Sequence, residues 1–436
     1  MKKIDSKPTG VRVGLLGLGT IGSGVAKILL TESARLEQRT NIRLVLQKVC
    51  AKRISKNLGV RVPARLLTDD PFELVRDPSV DIVVELFGGL HPAKELLLEA
   101  IQCGKHVVTA NKALLAEQGE AIFLEAARRL RHVGFEASVC GGIPIIQTIQ
   151  NGLVANNISN ILGIVNGTCN FILSSMSQGS LTFADALGQA QAKGFAEKNP
   201  ALDLEGLDSA HKLAILARLA FRSRIRFESI AVEGIRDIAE ADIAYARSLG
   251  YMIKLLAIGK KQKDGLELRV HPTLLPLDHP LSGVQGVYNA VFIHGDLTGD
   301  LLFYGRGAGT FPTASAIMSD LVDISKKISG GDASKNQALG FSKKLKVYPS
   351  DDIVTKYYLR FQVADKPGVL GRLALALGKN NISILSVHQK ESHDPQSVPV
   401  IVLTYEAKES DLRKALKAID AGRDVSKKTI VLRVEK

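Results

Sequence analysis

The stretch VRVGLLGLGTIGSGV, residues 11–25, decides the fold class of this 436-residue chain. Its apolar start at 11–17 predicts a buried parallel strand, and the apolar spacing over 20–37 predicts a helix after it. The turn between them has the pattern G-x-G-x-x-G, in which the glycines allow a tight turn, a close approach of the backbone to a pyrophosphate and close packing of helix on strand. We therefore predict that a dinucleotide binds here, the alternative being a plain strand-to-helix turn. The predicted contacts are Gly17, Leu18, Gly19, Thr20, Ile21 and Gly22.

Strands and helices alternate over the residues that follow this turn. Apolar runs predict further strands at 44–51, 81–89, 106–110 and 133–139. Helical spacing predicts helices at 92–103 and 113–130. Such alternation indicates an α/β fold with a doubly wound parallel sheet of the Rossmann type, which we assign to residues 1–142.

The rest of the chain changes pattern at GGIP, residues 141–144. A helix at 144–155 and mixed strands and helices indicate a second, α+β domain over 143–305, expected to bind substrate and to dimerise. A glycine-rich turn and a helical pattern over 306–330 return the chain to the first domain, and 331–352 is an expected linker. Residues 353–436 have the order strand, helix, strand, strand, helix, strand, which predicts a ferredoxin-like domain.

Composition excludes several functional classes. Apolar residues make up 45% of the chain and the net charge is +13, with the basic excess concentrated in residues 1–56. Aromatic residues are only 5%, with no Trp, which disfavours nucleic-acid binding. The basic excess is better explained by a solvated basic surface or by attraction of a phosphorylated cofactor. No apolar run is long enough for a membrane span, and the N-terminus does not read as a signal peptide. The four cysteines form no metal-binding or disulfide pattern, so we expect a cytoplasmic protein.

The residues after the second predicted strand bear on cofactor choice. An NAD-preferring site needs a carboxylate there for the ribose diol. The sequence CAKRISK, 50–56, offers Lys52 and Arg53 and no acid. We therefore expect preference for NADP(H), with NAD(H) possible, unless these are only exposed surface charges.

Two lysines and a set of acids carry the expected chemistry. Lys112 follows the fourth strand, at the end of the sheet where ligands bind in such folds. Asp208 and Lys212 are four residues apart and share a helix face that continues into apolar residues. Because burying a charged pair is costly, either the pair has a functional role there or it is an ordinary helix salt bridge. Acids can hold a substrate ammonium, and a lysine whose pKa a nearby cation lowers can exchange a proton with an alcohol. His211 points away from this face, and we expect it to be a packing or surface residue.

Several strings together resemble one enzyme family. GLGTIGSGV, TANKALLA, EASVCGGIPII, NGTCNFIL, GFAEKNPALDLEGLDSAHKLAIL and GRGAGTFPTAS are similar to the successive motifs of homoserine dehydrogenase, in order over about 11–330. DKPGVLGRLALALGKNNISILSVHQK resembles an ACT domain, an amino-acid-sensing module. The resemblance implies reversible NAD(P)-dependent interconversion of L-homoserine and L-aspartate 4-semialdehyde in threonine, methionine and isoleucine biosynthesis.

The resemblance also implies roles for individual residues. Lys212 matches a proton donor and acceptor at the substrate oxygen, and Lys112 matches a lysine near nicotinamide and substrate. The expected substrate-binding residues are Glu197, Asp203, Asp208, Gly167 and Thr168. The further expected cofactor-binding residues are Thr109, Gly307 and Gly309. A sodium site, built largely from backbone carbonyls, is implied at Glu136, Val139, Gly141 and Ile143.

The ACT-like tail implies feedback inhibition by threonine, the alternative being a structural or dimerising appendage. Because such modules pair across subunits, we expect a homodimer or homotetramer. One competing enzyme is an acylating aldehyde dehydrogenase with Cys169 as nucleophile, although no histidine lies near Cys169 in sequence. A second alternative is a non-enzymatic Rossmann-like regulator with an ACT sensor, which would have no use for the acids and lysines.

Overall fold

The computed structural model of the chain describes residues 10–51, 59–179, 181–330, 344–389 and 397–435. Among these residues no helix combines the length and the apolar character that crossing a membrane requires.

The first third of the chain forms a six-stranded parallel sheet. Its strands are Val11–Leu16 (β1), Leu44–Cys50 (β2), Leu67–Thr68 (β3), Ile82–Glu85 (β4), His106–Thr109 (β5) and Val133–Gly134 (β6). The helices between them are Thr20–Thr31 (α1), Ser33–Thr40 (α2), Pro71–Arg76 (α3), Ala93–Gln102 (α4) and Lys112–Arg128 (α5). The strand order β3-β2-β1-β4-β5-β6 is that of a doubly wound Rossmann sheet, as predicted.

The strands of this sheet are rich in buried apolar residues because both faces are covered. Val13 and Leu15 of β1 point into a core under α1, while Leu16 and Val83 belong to a second core under α3, α4 and α5. The carboxyl ends of β1, β4 and β5 therefore lie together at one edge, where the glycine turn and Lys112 follow.

The middle of the chain adds a second, mostly antiparallel sheet. Its strands are Ile158–Ile164 (β7), Ala231–Val232 (β8), Tyr251–Lys261 (β9), Gly265–Pro276 (β10), Tyr288–Gly295 (β11) and Gly299–Arg306 (β12). The helices are Ile145–Gln147 (α6), Gly167–Gly179 (α7), Phe183–Ala192 (α8), Ala201–Leu204 (α9), Leu207–Phe221 (α10), Glu240–Ser248 (α11) and Thr310–Ser329 (α12). Helix α12 returns to the first domain, where Ile317 joins the core beneath α1.

The last part of the chain has the predicted ferredoxin-like order. Its elements are Lys346–Val347 (β13), Val354–Val363 (β14), Val369–Lys379 (α13), Ile384–Gln389 (β15), Val398–Thr404 (β16), Ala407–Lys408 (β17), Glu409–Asp420 (α14) and Val425–Val434 (β18). The sheet order is β18-β14-β16-β15. Strand β18 also pairs in parallel with β10 through Thr273–Arg433 and Leu274–Val434, so the second and third sheets are continuous within one chain.

Some predicted elements were wrong in extent. The strand predicted at 133–139 ends at Gly134, because the Glu136 carboxylate accepts the backbone N–H groups of Ile146 and Gln147 and draws the chain out of the sheet. The helix predicted at 144–155 is the short α6 and a π-helical turn at Thr148–Gly152.

Other elements were divided or missed. The helix predicted at 20–37 is divided into α1 and α2 at Glu32. Helix α7 was not predicted, although the Asn166 side chain caps its start by accepting the backbone N–H of Cys169 at 2.8 Å. Of the expected linker 331–352, residues 331–343 lie outside the described residues, and β13 adds a short strand to β10.

Candidate active site

The glycine turn after β1 has the geometry that its pattern requires. Gly17 has φ +103°, a conformation that residues with a Cβ rarely adopt. A Cβ on Gly22 would lie 2.1 Å from the Gly17 carbonyl oxygen, so only glycine allows α1 to start this close to β1. A Cβ on Gly19 would meet nothing within 4 Å, which leaves the backbone open on the side where an anion would bind. Thr20 and Gly19 are exposed there, Ile21 is half-buried and Leu18 is buried.

A cavity of about 540 Å³ opens beside this turn. It lies between the start of α1 and the segment that enters α12, and the cations Lys27 and Arg306 line it with Thr20. The open backbone, the helix N-terminus and these cations fit a dinucleotide pyrophosphate. Lys52 and Arg53, the expected 2′-phosphate contacts, lie outside the described residues.

Two further glycines bring the α12 segment to the cofactor domain. A Cβ on Gly307 would overlap the Asn289 side chain at 1.4 Å, and Gly309, with φ +122°, precedes α12. The Gly307 carbonyl accepts the backbone N–H of Gly141 at 2.9 Å. Gly307 is therefore required by close packing against Asn289 and Gly309 by its backbone conformation, and Gly309 lines the cavity.

A buried glutamate that the sequence analysis missed organises the loop before Lys112. Glu85, at the end of β4, accepts the Thr109 hydroxyl at 2.6 Å and the backbone N–H groups of Phe87 and Gly88. Thr109 in turn accepts the N–H of Asn111, whose side chain caps α5. An acid that ends an otherwise apolar strand, DIVVE, was the signal available in the sequence.

The two lysines meet at one carboxylate. Lys212 Nζ lies 2.7 Å from Asp208 Oδ2, and Lys112 Nζ lies 3.2 Å from Asp208 Oδ1. Lys212 Nζ also donates to the Val165 carbonyl at 2.6 Å. Residues a hundred positions apart thus converge where the two domains meet.

Charge pairing sets the protonation states in this cluster. Burial raises the pKa of the Asp208 carboxyl, but the charges of Lys212 and Lys112 outweigh burial and lower it below its usual range. Burial likewise disfavours the charged form of Lys212, yet the Asp208 carboxylate raises its pKa above that of an ordinary lysine. The lowered lysine pKa considered from the sequence therefore does not apply to Lys212, which is an ammonium beside the Asp208 carboxylate.

Asn166 links two of the expected substrate-binding acids and was also missed. Its amide donates to Asp203 at 2.7 Å and to Asp208 at 2.8 Å. Burial, with the Asp208 charge nearby, raises the pKa of Asp203. Next along the chain, a Cβ on Gly167 would lie 2.7 Å from the Val287 carbonyl oxygen. The Thr168 hydroxyl donates to the Phe195 carbonyl at 2.7 Å, which ties α7 to the loop before α9.

Glu197 stands apart from this cluster. It lies in the same loop as Phe195 but is exposed, and its carboxylate makes no ion pair with any of the described residues. Its contact with a substrate ammonium therefore stays a prediction.

The structure disfavours Cys169 as a nucleophile. The thiol is fully buried and donates to the Asp203 carbonyl at 3.1 Å, and burial raises its pKa well above the usual value. A thiolate is the reactive form, so this environment opposes acyl-enzyme chemistry. His211 stacks on Phe227 and contacts Glu117 at 3.0 Å, which agrees with a packing role.

The segment of the expected sodium site is irregular and buried. Glu136, Val139 and Ile143 are each at most 2% exposed, and Gly141 is buried between them. The Glu136 carboxylate accepts two backbone N–H groups, one at each oxygen, which fixes its position in this segment. No cluster of three or more acidic, histidine or cysteine side chains suited to a metal occurs among the described residues. Sodium binding by this segment stays a prediction.

Models of known protein families match three successive parts of the chain. The family model described as homoserine dehydrogenase, NAD binding domain, matches residues 17–136, and the homoserine dehydrogenase model matches 144–322. The ACT domain model matches 357–421.

Full-length relatives give the same result. The homoserine dehydrogenase of Neisseria gonorrhoeae is 43% identical over 429 residues, and that of Bacillus subtilis is 38% identical over 427, each match covering 98% of both chains. The crystal structure of a homoserine dehydrogenase from Thiobacillus denitrificans, 41% identical, superposes with a TM-score of 0.92 and covers 98% of this chain and 99% of its own. With the two lysines meeting at the domain junction and relatives matching from end to end, the chain belongs to the homoserine dehydrogenase family, in the form that carries a C-terminal ACT domain.

Proposed function

We propose that the chain interconverts L-homoserine and L-aspartate 4-semialdehyde reversibly, preferring NADP(H), with Lys212 as proton donor and acceptor at the substrate oxygen. The observation that carries the proposal is the convergence of Lys112 and Lys212 on Asp208. The test is the ultraviolet absorbance of reduced nicotinamide, which must rise only when homoserine and oxidised cofactor are both present.

The ammonium of Lys212 is oriented for this role. It has three N–H donors, of which one binds Asp208 and one binds the Val165 carbonyl. The third donor is left for the substrate oxygen, where it stabilises the negative charge that grows as the aldehyde is reduced, and supplies the proton. A bound nicotinamide supplies the hydride. In the oxidation direction the alcohol returns its proton to the neutral amine.

We further propose that the neighbouring groups hold the ends of the amino-acid substrate. Asp203, Asp208 and Glu197 supply negative charge for its ammonium, and Lys112 supplies positive charge near its carboxylate and the nicotinamide. Gly167 and Thr168 line the same junction. We also propose that the carbonyls of residues 136–143 hold sodium, which activity measured in sodium and in tetramethylammonium buffers would test.

NADPH is expected to be the better cofactor, by roughly tenfold or more in kcat/KM over NADH. The support is the cationic character of residues 52–56 and the absence of an acid there. A homoserine dehydrogenase from a hyperthermophilic archaeon, 26% identical, has been solved in complex with NADPH. Comparison of kcat/KM for the two cofactors measures the preference, and a clear NADH preference contradicts it.

Threonine is expected to inhibit the full-length chain through its ACT domain. Valine, which has nearly the same shape but no hydroxyl, is the control and should leave the rate unchanged. Deleting residues 350–436 should abolish the inhibition, but it would also remove Glu435, the partner of the buried Arg269. Initial rates of the intact chain with each amino acid are therefore the sharper measurement, and equal rates with and without threonine count against the proposal.

We propose that the protein is a cytoplasmic homodimer or homotetramer. Leu302 and Tyr304 alternate on the exposed side of β12, the edge strand of the second sheet, and Leu297 before them is 71% exposed. Apolar side chains grouped in this way favour contact with a second copy. Sedimentation of the full chain distinguishes a dimer, a tetramer and a monomer.

A further inference from the structure

A buried arginine of the C-terminal domain joins that domain to the middle of the chain. Arg433, in β18, is only 4% exposed and binds two carboxylates at once. It donates to Glu409 of its own domain at 2.6 and 2.9 Å, and to Glu233 of the preceding domain at 2.7 and 2.8 Å. Glu409 is fixed in turn by the Tyr357 hydroxyl at 2.9 Å. Two forked pairs of this kind hold a guanidinium in one orientation.

Glu233 is half-exposed, but its backbone belongs to a rigid element. It follows β8, which pairs with β10, and its N–H donates to the Val270 carbonyl at 2.8 Å. Strand β10 also pairs with β18 beside Arg433. The Arg433–Glu233 ion pair therefore links β18 to the end of β8, and both strands also pair with β10.

The residues directly after Glu233 pack against the backbone that enters the site. A Cβ on Gly234 would lie 2.1 Å from the Leu204 carbonyl oxygen and 2.6 Å from Glu205 Cα. The Leu204 carbonyl also accepts the N–H of Ile235 at 2.8 Å. On the other side, a Cβ on Gly206 would lie 3.2 Å from the Glu233 carbonyl oxygen. The turn Leu204–Gly206 is therefore packed directly against residues 232–235, and a displacement of one segment is expected to displace the other.

This turn joins the two acids of the site. Asp203 precedes it, and Gly206 starts α10, which carries Asp208 and Lys212. Asn166 bridges Asp203 and Asp208, so a shift of the turn changes the distance between the acids. We infer that Arg433 and Glu233 are positioning residues for substrate, acting through residues 234–235 on the turn Leu204–Gly206. The inference rests on the proposed function and gives the C-terminal domain a direct connection to the substrate-binding acids.

The chain offers a matched control for this inference. Lys260, at the end of β9, forms an ion pair with Glu435, and this pair joins the same two domains without touching residues 231–235. Lys260 and Glu233 are each the more exposed partner of their pair, with side chains 25% and 47% exposed. Glu233→Gln and Lys260→Gln therefore each neutralise one bridging ion pair at similar risk to folding.

The experiment compares KM for homoserine, kcat and the NADPH dissociation constant in the full-length variants. Glu233→Gln is expected to raise KM for homoserine by roughly 3- to 10-fold with NADPH binding unchanged, while Lys260→Gln keeps the parent KM. Arg433→Lys keeps the positive charge but loses the paired hydrogen bonds that a guanidinium makes to each carboxylate. It should also raise KM for homoserine, by less than Arg433→Met does. Parent values in Glu233→Gln, or the same KM change in Lys260→Gln, overturn the inference. Absence of homoserine-dependent activity in the parent chain would instead overturn the proposed function.

Discussion

Replacing Lys212 with alanine is expected to lower kcat by roughly 10²- to 10⁴-fold while NADPH still binds. The ammonium of Lys212 has a raised pKa and is held by Asp208 and the Val165 carbonyl, and we expect its remaining N–H to donate to the substrate oxygen. Folding should survive, because Asp208 keeps Lys112 as a partner at 3.2 Å. Single-turnover rates and fluorescence titration with NADPH measure the two quantities separately.

Two controls make the Lys212 experiment specific. Lys261→Ala removes an exposed lysine at the end of β9 and should leave kcat unchanged. Lys212→Arg keeps a positive charge for Asp208 but holds its proton far more tightly, so it should fold and remain slow. Turnover near the parent rate in Lys212→Ala would remove the proposed role.

Replacing Asp208 with asparagine is the second change with a large expected effect. It leaves two ammonium groups close together without their shared counter-charge, and it removes negative charge from the expected ammonium site. We expect kcat/KM for homoserine to fall by roughly 10²-fold or more.

The pH profile of this variant distinguishes the electrostatic role from simple misfolding. In the parent chain Asp208 raises the pKa of Lys212, so the ammonium persists to higher pH. Without the carboxylate the pKa of Lys212 falls, and aldehyde reduction should lose activity at a lower pH than in the parent chain. Asp203→Asn is the comparison, since it also removes a nearby acid but does not contact Lys212 directly. If the rate of aldehyde reduction falls at the same alkaline pH in Asp208→Asn and in the parent chain, the electrostatic coupling between Asp208 and Lys212 is contradicted.

The buried environment of Cys169 separates the proposed reaction from its nearest enzymatic alternative. In sequence, a cysteine inside NGTCN was compatible with an acylating aldehyde dehydrogenase, because only the absence of nearby histidines opposed it. Its full burial and raised pKa depend on the packing of α7, which carries it, against α9, and no local pattern reports that packing.

Local patterns alone determined the Rossmann sheet, the glycine turn and the ferredoxin-like tail. Each rests on short-range physics: the apolar period of a strand or helix, and the backbone freedom of Gly17 and Gly22. The lysines and acids were also identifiable, since Asp208 and Lys212 share one helix face through their spacing. The roles of single residues, by contrast, came from resemblance rather than from spacing.

Only the tertiary structure decided where distant groups meet. Lys112 reaches Asp208 because the end of β5 and the start of α10 come together at the domain junction, although the two residues are far apart in sequence. Asn166 and Arg433 were missed for the same reason, because their carboxylate partners lie on elements remote in the chain. Glu85 has a remote partner in Thr109 but also two local N–H donors, so part of its role was visible in the sequence. The raised pKa of Lys212 likewise depends on the Asp208 carboxylate that folding places beside it and that outweighs burial, since the electrostatic field at a side chain is the sum over its neighbours in space.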